Sequence, residues 1–306
     1  MPDGQSWVDA ARIGALALEA LETELRLDPK PGLVTPRDPG SHQDMDARTF
    51  VRSLSALQTY FPAIAAAGAA GAGFAELRGL GIAAEQAMLA ATAGVNTHRG
   101  AIFNLGLLCA AAAALAASSI PLTPEAVCAE VTRRYGAQIR AATPPTGAGL
   151  RTALVAAVAA DPVRARGPAP ARALPAAPSH GAEMAARHGA GGARAEAARG
   201  FPTVRGVGLP AWQAARASGA EVDAAGVQTL FALIAVVEDT NLLWRGGVAG
   251  LAFAQSRAAA FLARGGVSAP DWRITAQLIS QEFVTRRLSP GGSADLLGVT
   301  LFLQQL

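Results

Sequence analysis

Carboxylates at the ends of apolar helical segments, set beside arginines and glycine-rich turns, are the feature of this chain best suited to chemistry. Five stretches carry it. Residues 30–50, KPGLVTPRDPGSHQDMDARTF, form a turn-rich loop holding Lys30, Ser41, His42, Asp44 and Asp46 just ahead of a helix. One aspartate there suffices as an N-cap, worth about 1 kcal/mol. Two acids beside a histidine exceed that need and point to acid–base or metal work. In residues 79–103, GLGIAAEQAMLAATAGVNTHRGAIF, Glu85 falls on the helical face of Ile82, Met88 and Leu89. An unpaired carboxylate there costs several kcal/mol, roughly, so Glu85 requires a cation, a metal or a proton. Asn96, Thr97, His98, Arg99 and Gly100 follow at the entrance to an apolar helix, where free backbone N–H groups and Arg99 favour a phosphate. Thr97 taken alone reads better as an N-cap.

Residues 179–202, SHGAEMAARHGAGGARAEAARGFP, contain His180, His188, Arg194, Glu196 and a dense set of glycines. No strand precedes them, so a dinucleotide-binding turn is rejected, and two histidines eight apart across a glycine make no zinc site. Residues 236–250, VVEDTNLLWRGGVAG, place Glu238, Asp239, Asn241 and Arg245 at the end of an apolar helix. Residues 287–303, RLSPGGSADLLGVTLFL, open on a turn with Ser289, then Gly291, Gly292 and Ser293 at a helix start, with Asp295 on the face of Val299 and Phe302. Backbone amides at such a glycine turn can approach phosphate oxygens; the plainer alternative is a turn with a Ser293 cap. Acids in this setting beside phosphate-binding turns suggest Mg²⁺–triphosphate chemistry.

The elements that must hold these residues are helices. Apolar residues recur at three- and four-residue spacing and strand-like alternation is rare. The pattern predicts an all-α, multi-helix single domain over residues 1–306, with helices near 6–27, 46–68, 80–93, 100–118, 123–139, 222–238, 247–264, 270–286 and 293–304. A Pro/Ala-rich loop or insertion is expected near 142–178, since DPVRARGPAPARALPAAP offers neither helix nor core. Residues 101–117 have Asn104 as their only strongly polar residue and approach the length of a membrane span. Their alanine-rich second half, with Gly100 and Gly106 suited to close packing, reads as a core helix instead.

Bulk properties agree with a globular protein. The chain has 306 residues, 51% of them hydrophobic, and can bury a large core. Its net charge of +3 is spread without a Lys/Arg run, which argues against nucleic acid or lipid surfaces and for a polyanionic small molecule. Cys109 and Cys128 lack metal spacing and read as buried thiols of a reducing cytoplasm. The N-terminus has no signal-peptide pattern. Lys30 is the only lysine, a reason to weigh it as more than an exposed turn residue.

KPGLV with GSHQDMD, AE followed by GVNTHRGAIF, GGARAEAARGFP, EDTNLLWRGG and SPGGSADLL, in this order, resemble the triphosphoribosyl-dephospho-CoA synthase family. GSHQDMDARTF and RRLSPGGSADLLGVTLF look more like its malonate decarboxylase branch than its citrate lyase branch. The resemblance runs from about residue 10 to the C-terminus and departs near 142–178. It implies an all-helical fold, ATP as donor and 3′-dephospho-CoA as acceptor. Adenine would leave as a ribose hydroxyl attacks the anomeric carbon, and the product would pass to a transferase that loads a carrier protein.

For that chemistry an oxocarbenium-like transition state needs a carboxylate base and an acid for the leaving group. Asp44, Asp46, Glu85, Asp239 and Asp295 are the candidates for metal, with the first three also candidates for catalysis. His42 or His98 would protonate adenine, being nearest neutrality, with Glu196 in reserve. Lys30, Arg99, Arg194 and Arg245 would hold phosphates; Ser41, Asn96, Thr97, Asn241, Ser289, Gly291, Gly292 and Ser293 complete the substrate contacts. Mg²⁺ is the expected cofactor, and a homodimer is one expected state. An all-α Mg²⁺-dependent ADP-ribosyl or nucleoside hydrolase would use the same acids with water as acceptor, and a non-enzymatic helical scaffold would need none of them.

Overall fold

Helix α5, Arg99–Ala117, is the centre of the molecule, and its composition explains why. Its middle is alanine, glycine and leucine, so neighbouring backbones come close: a Cβ on Gly68 would lie 2.2 Å from the Ala110 carbonyl oxygen, and one on Gly106 would lie 2.2 Å from the Tyr60 hydroxyl. The computed structural model describes residues 9–142 and 191–306. The expected insertion, His180 and His188 lie outside them, apart from the insertion's first residue, Ala142.

Around α5 pack α1 (Ala10–Arg26), α3 (Tyr60–Ala69), α4 (Phe74–Ala91), α6 (Pro124–Ala141) and α7 (Gly192–Ala198). Helix α2 (Ala47–Leu57) lies on α4. The second half adds a π-helical turn (Val204–Gly208), α8 (Leu209–Ala217), α9 (Val222–Ile234), α10 (Thr240–Ala263), a 3₁₀ turn (Gly266–Ser268), α11 (Trp272–Thr285) and α12 (Gly291–Leu303). Helix α12 packs on α1, α5 and α9, so the C-terminal motif returns to the N-terminal core. Among the described residues there is no strand, and the fold is all-α. Among the described residues one helix, α5, is long and apolar enough to cross a membrane, yet most of it is buried in the core.

The expected helices resolve with differences. The stretch 46–68 is two helices, broken at Gln58 and Thr59, and α4 begins at Phe74 rather than near 80. Helix α10 begins at Thr240 rather than near 247 and is interrupted at Gly247, whose φ of 61° suits glycine. Helices α7 and α8 were not anticipated: neither carries a repeating stripe of large apolar residues. A bidentate pair from Arg257 to Glu282, 2.6 and 2.7 Å, ties α10 to α11. Cys109 and Cys128 are both free and buried, as their sequence setting predicts.

Candidate active site

All five motif stretches converge on one cleft of about 2140 Å³. Its wall takes Lys30, His42 and Asp44 from the first stretch, Glu85 and Asn96 to Gly100 from the second, and Arg194 and Glu196 from the third. Asp239, Asn241 and Arg245 come from the fourth; Ser289, Gly291, Gly292 and Asp295 come from the fifth. Ser41, Asp46 and Ser293 are absent from that wall.

At one side, the loop before α2 folds against the segment before α12. Ser41 Oγ donates to the Leu288 carbonyl at 2.5 Å, which makes Ser41 a tie between loops rather than a substrate contact. The His42 ring lies between Ser289 Oγ, 2.9 Å from Nε2, and the Arg245 guanidinium, 3.1 Å from Nδ1. Because Arg245 can only donate, Nδ1 accepts and Nε2–H donates to Ser289. Arg245 also donates to the carbonyls of Ser41 and Arg287, each at 3.2 Å. Burial, reinforced by Arg245, lowers the His42 pKa to about 4 despite Asp44 nearby. His42 is therefore neutral at pH 7, and the expectation of a proton donor near neutrality fails for it.

His98 fails the same test more strongly. It is enclosed at the start of α5, with Nδ1 2.6 Å from Ser53 Oγ, and burial pushes its pKa down to about 3. Its Nε2 has no partner among the described residues. Thr97 is not the N-cap of α5; its hydroxyl donates to Ser53 Oγ at 2.8 Å, and Asn96 Oδ1 accepts from the Arg99 amide at 3.1 Å. Glu85 does find the cation its position demands, an ion pair with Arg99 at the cleft wall.

Asp239 and Asp295 form the acidic centre. Asp239 is buried and caps α10: Oδ1 accepts from the amides of Asn241, 2.9 Å, and Leu242, 3.3 Å. Its Oδ2 accepts from Ser293 N, 2.8 Å, and Ser293 Oγ, 3.0 Å. Ser293 is therefore bound to Asp239 and not open to a phosphate. The glycines are required here, because a Cβ on Gly292 would sit 3.1 Å from the Asp239 carboxyl carbon and one on Gly291 would sit 2.5 Å from Asn241 Nδ2. Asp295 retains some accessible surface on the cleft, while its surroundings screen it from bulk water. Burial first, then the charges of Asp239 and Glu24, push its carboxyl well above the usual range, against the Ala101 amide. Its carboxylate lies on Gly100, where a Cβ would be 1.8 Å from Oδ2.

Other expected ligands are engaged elsewhere. Lys30 is neither an exposed turn lysine nor a free phosphate ligand: its buried ammonium donates to Glu24 Oε1 and to the Glu24 carbonyl, both at 2.7 Å. Asp46 is the N-cap of α2 in a reciprocal pair with Thr49, outside the cleft. Glu196 accepts from the Thr203 amide, 3.1 Å, and hydroxyl, 2.8 Å, bracing α7 rather than standing free. Arg194 donates to the Ala142 carbonyl at 3.2 Å and remains exposed at the cleft.

The five proposed metal ligands do not meet. No group of three or more His, Cys, Asp or Glu side chains fit for a metal exists among the described residues. Asp46 caps a helix, Glu85 pairs with Arg99, and Asp239 has hydrogen bonds on both oxygens. A Mg²⁺ that arrives on a triphosphate needs only one or two carboxylates. Asp44, largely exposed beside His42 and on the cleft wall, fits that lesser demand.

Comparison with known proteins identifies the setting. The family profile described as CitG, ATP:dephospho-CoA triphosphoribosyl transferase, matches residues 10–306. The chain belongs to this transferase family. It is 38% identical over 296 residues to a probable 2-(5″-triphosphoribosyl)-3′-dephosphocoenzyme-A synthase of Acinetobacter calcoaceticus, covering 96% of this chain and 90% of that protein. Proteins of the same name from Salmonella typhi, numbered 1 there, and Citrobacter koseri are 39% identical over 300 residues and 37% identical over 315 residues. Those alignments cover 96% and 99% of this chain and 90% and 92% of the relatives. No solved structure matches it.

The cleft wall also takes residues that spacing did not single out. Arg78, Arg199, Arg286 and Arg287 add cations to its wall, and Trp244 adds an aromatic ring. Trp244 and Arg287 lie within or beside motifs already recognisable in the sequence. Arg78 has no such signal, being one surface arginine among many until α4 packs on α5.

Proposed function

We propose that this chain moves the 5-triphosphoribosyl unit of ATP onto the 2′-hydroxyl of 3′-dephospho-CoA, releasing adenine. One observation carries the reading: five separate motifs build a single arginine-bearing cleft around Asp295, a carboxyl group of raised pKa. A pocket for one small ligand is about 300–1,000 Å³. The volume here suits two nucleotides together.

Asp295 is the base. Its raised pKa increases the appetite of its ionised form for the proton of the attacking hydroxyl, and that ionised form would favour the oxocarbenium-like ribose. The bond from the anomeric carbon to adenine breaks with its electron pair staying on the adenine nitrogen, and the new carbon–oxygen bond forms from the acceptor oxygen. One proton leaves the hydroxyl and one ends on adenine, so no further reactant is needed. Arg245, Arg286 and Arg287 gather beside the segment leading into α12 and hold phosphates there. From Gly291 to Asp295 is about 6 Å along a helix, a fair match to the span between a 5′-phosphate and the anomeric carbon.

Mg²⁺, when bound, neutralises triphosphate charge, and Asp44 would hold it. The wording of GSHQDMDARTF and RRLSPGGSADLLGVTLF favours the malonate decarboxylase pathway over citrate lyase. In that pathway, which we place in the cytoplasm, a carrier-loading transferase consumes the product.

The test is adenine release from ATP and Mg²⁺ with and without 3′-dephospho-CoA. Release that depends on the acceptor is the expected result. Equal release without it would favour the hydrolase alternative and remove this reading.

A further inference from the structure

Asn104 stands alone. It is the single strongly polar side chain in the apolar run of α5, it is 0% exposed, and both its amide nitrogen and its amide oxygen lack a partner among the described residues. An unsatisfied buried amide is destabilising, so a purely structural Asn at this place is a poor choice. The residue also lies on the wall of the cleft, with Tyr60, Ile64 and Leu107 as apolar neighbours along that wall. On the helix it is one turn beyond Gly100, the residue on which the Asp295 carboxylate rests, so Gly100 and Asn104 share a face.

We infer that Asn104 reads the adenine of ATP. A planar amide presents a donor and an acceptor side by side, the complement of adenine N7 and the 6-amino group, the pairing by which Asn recognises adenine in nucleic acids. Resting on the transferase reading above, the inference extends the donor's path inward. Phosphates lie at the arginines, the ribose lies at Asp295, and the base lies one helical turn further along α5 against Tyr60, Ile64 and Leu107. Because Asn104 is sealed from solvent, the base reaches it by displacing side chains at that inner end. Donation from the Asn104 amide to N7 also draws electron density from the ring as adenine departs.

The experiment measures equilibrium binding of ATP, 7-deaza-ATP and purine riboside triphosphate to the full chain with Mg²⁺, without acceptor. The expected result for the parent is that each analogue, lacking one partner of the amide, binds about 5- to 150-fold more weakly than ATP. Asn104→Leu should bind ATP more weakly, lose that discrimination, keep the KM for 3′-dephospho-CoA, and melt no lower than the parent. Equal binding of all three nucleotides by the parent would overturn the inference. So would an Asn104→Leu protein that still discriminates, or one whose acceptor KM rises while its ATP affinity stands. Should Asn104→Leu fail to fold, Asn104→Ala serves: it removes both the donor for N7 and the acceptor for the 6-amino group, so it should bind ATP, 7-deaza-ATP and purine riboside triphosphate alike. Retained discrimination against 7-deaza-ATP would overturn the inference. Failure of the parent to release adenine with acceptor present would instead remove the transferase reading, independently of these affinities.

Discussion

Asp295→Asn removes the proposed base while keeping the shape of the side chain, so its effect isolates charge. Loss of a general base typically lowers turnover by about 10² to 10⁴-fold, and steady-state kinetics should show that loss with little change in ATP affinity. The same carboxylate sets a pH limb. Because its pKa is raised, the parent's kcat/KM should fall on acidification through a midpoint above that of an ordinary aspartate. The limb should vanish in Asp295→Asn. Histidines govern stability instead. His42 and His98 have pKa values lowered to about 4 and about 3, so in the folded state both are neutral well below the usual histidine pKa of about 6.5. The unfolded chain takes up those protons first, and stability is lost as pH falls from about 6.5 toward 4. Thermal melts across that window should show a falling Tm, and His98→Gln should flatten the fall; a Tm that rises on acidification would contradict the assignment.

Gly100 joins two elements, since α5 begins at Arg99 and the second turn of α12 presses Asp295 onto it. Gly100→Ala should push the carboxylate aside. Overpacking of this kind costs about 1–3 kcal/mol, and activity should fall at least tenfold because the displaced group is the proposed base; kinetics beside a thermal melt separate the two effects. The element scale also shows what was legible in the sequence. Helices α1, α5, α6, α9, α11 and α12 are close to expectation because each carries a continuous apolar face or a clear start signal, such as Thr123 with Pro124. The break at Gln58 and Thr59 left no mark in the apolar spacing, and α7 and α8 are too poor in large apolar residues to announce themselves. The candidate site was readable as a set of motifs but not as a geometry. That Glu85 needed a cation followed from its helical face. That Lys30 would be buried on Glu24, Asp46 would cap α2, and Ser293 would bind Asp239 depends on contacts between segments distant in the chain.

Across the whole molecule, a core of closely packed α3 and α5 supports a cleft assembled from both halves of the chain. Its tightness has a chemical signature. Cys109 and Cys128 are sealed inside, and burial raises both thiols, Cys128 to about 12. A thiol-specific reagent should leave the folded protein unlabelled and label both residues after denaturation, as mass spectrometry would show; rapid labelling of the native protein would mean that the core opens. The central claim is that this cleft joins two nucleotides through ribose. The most direct test is the mass of the acceptor after incubation with ATP and Mg²⁺. The account predicts 3′-dephospho-CoA enlarged by a triphosphoribosyl group, with free adenine in equal amount and both formed about 10² to 10⁴-fold more slowly by Asp295→Asn. An unmodified acceptor, or one enlarged by phosphate or adenylate instead, would contradict it.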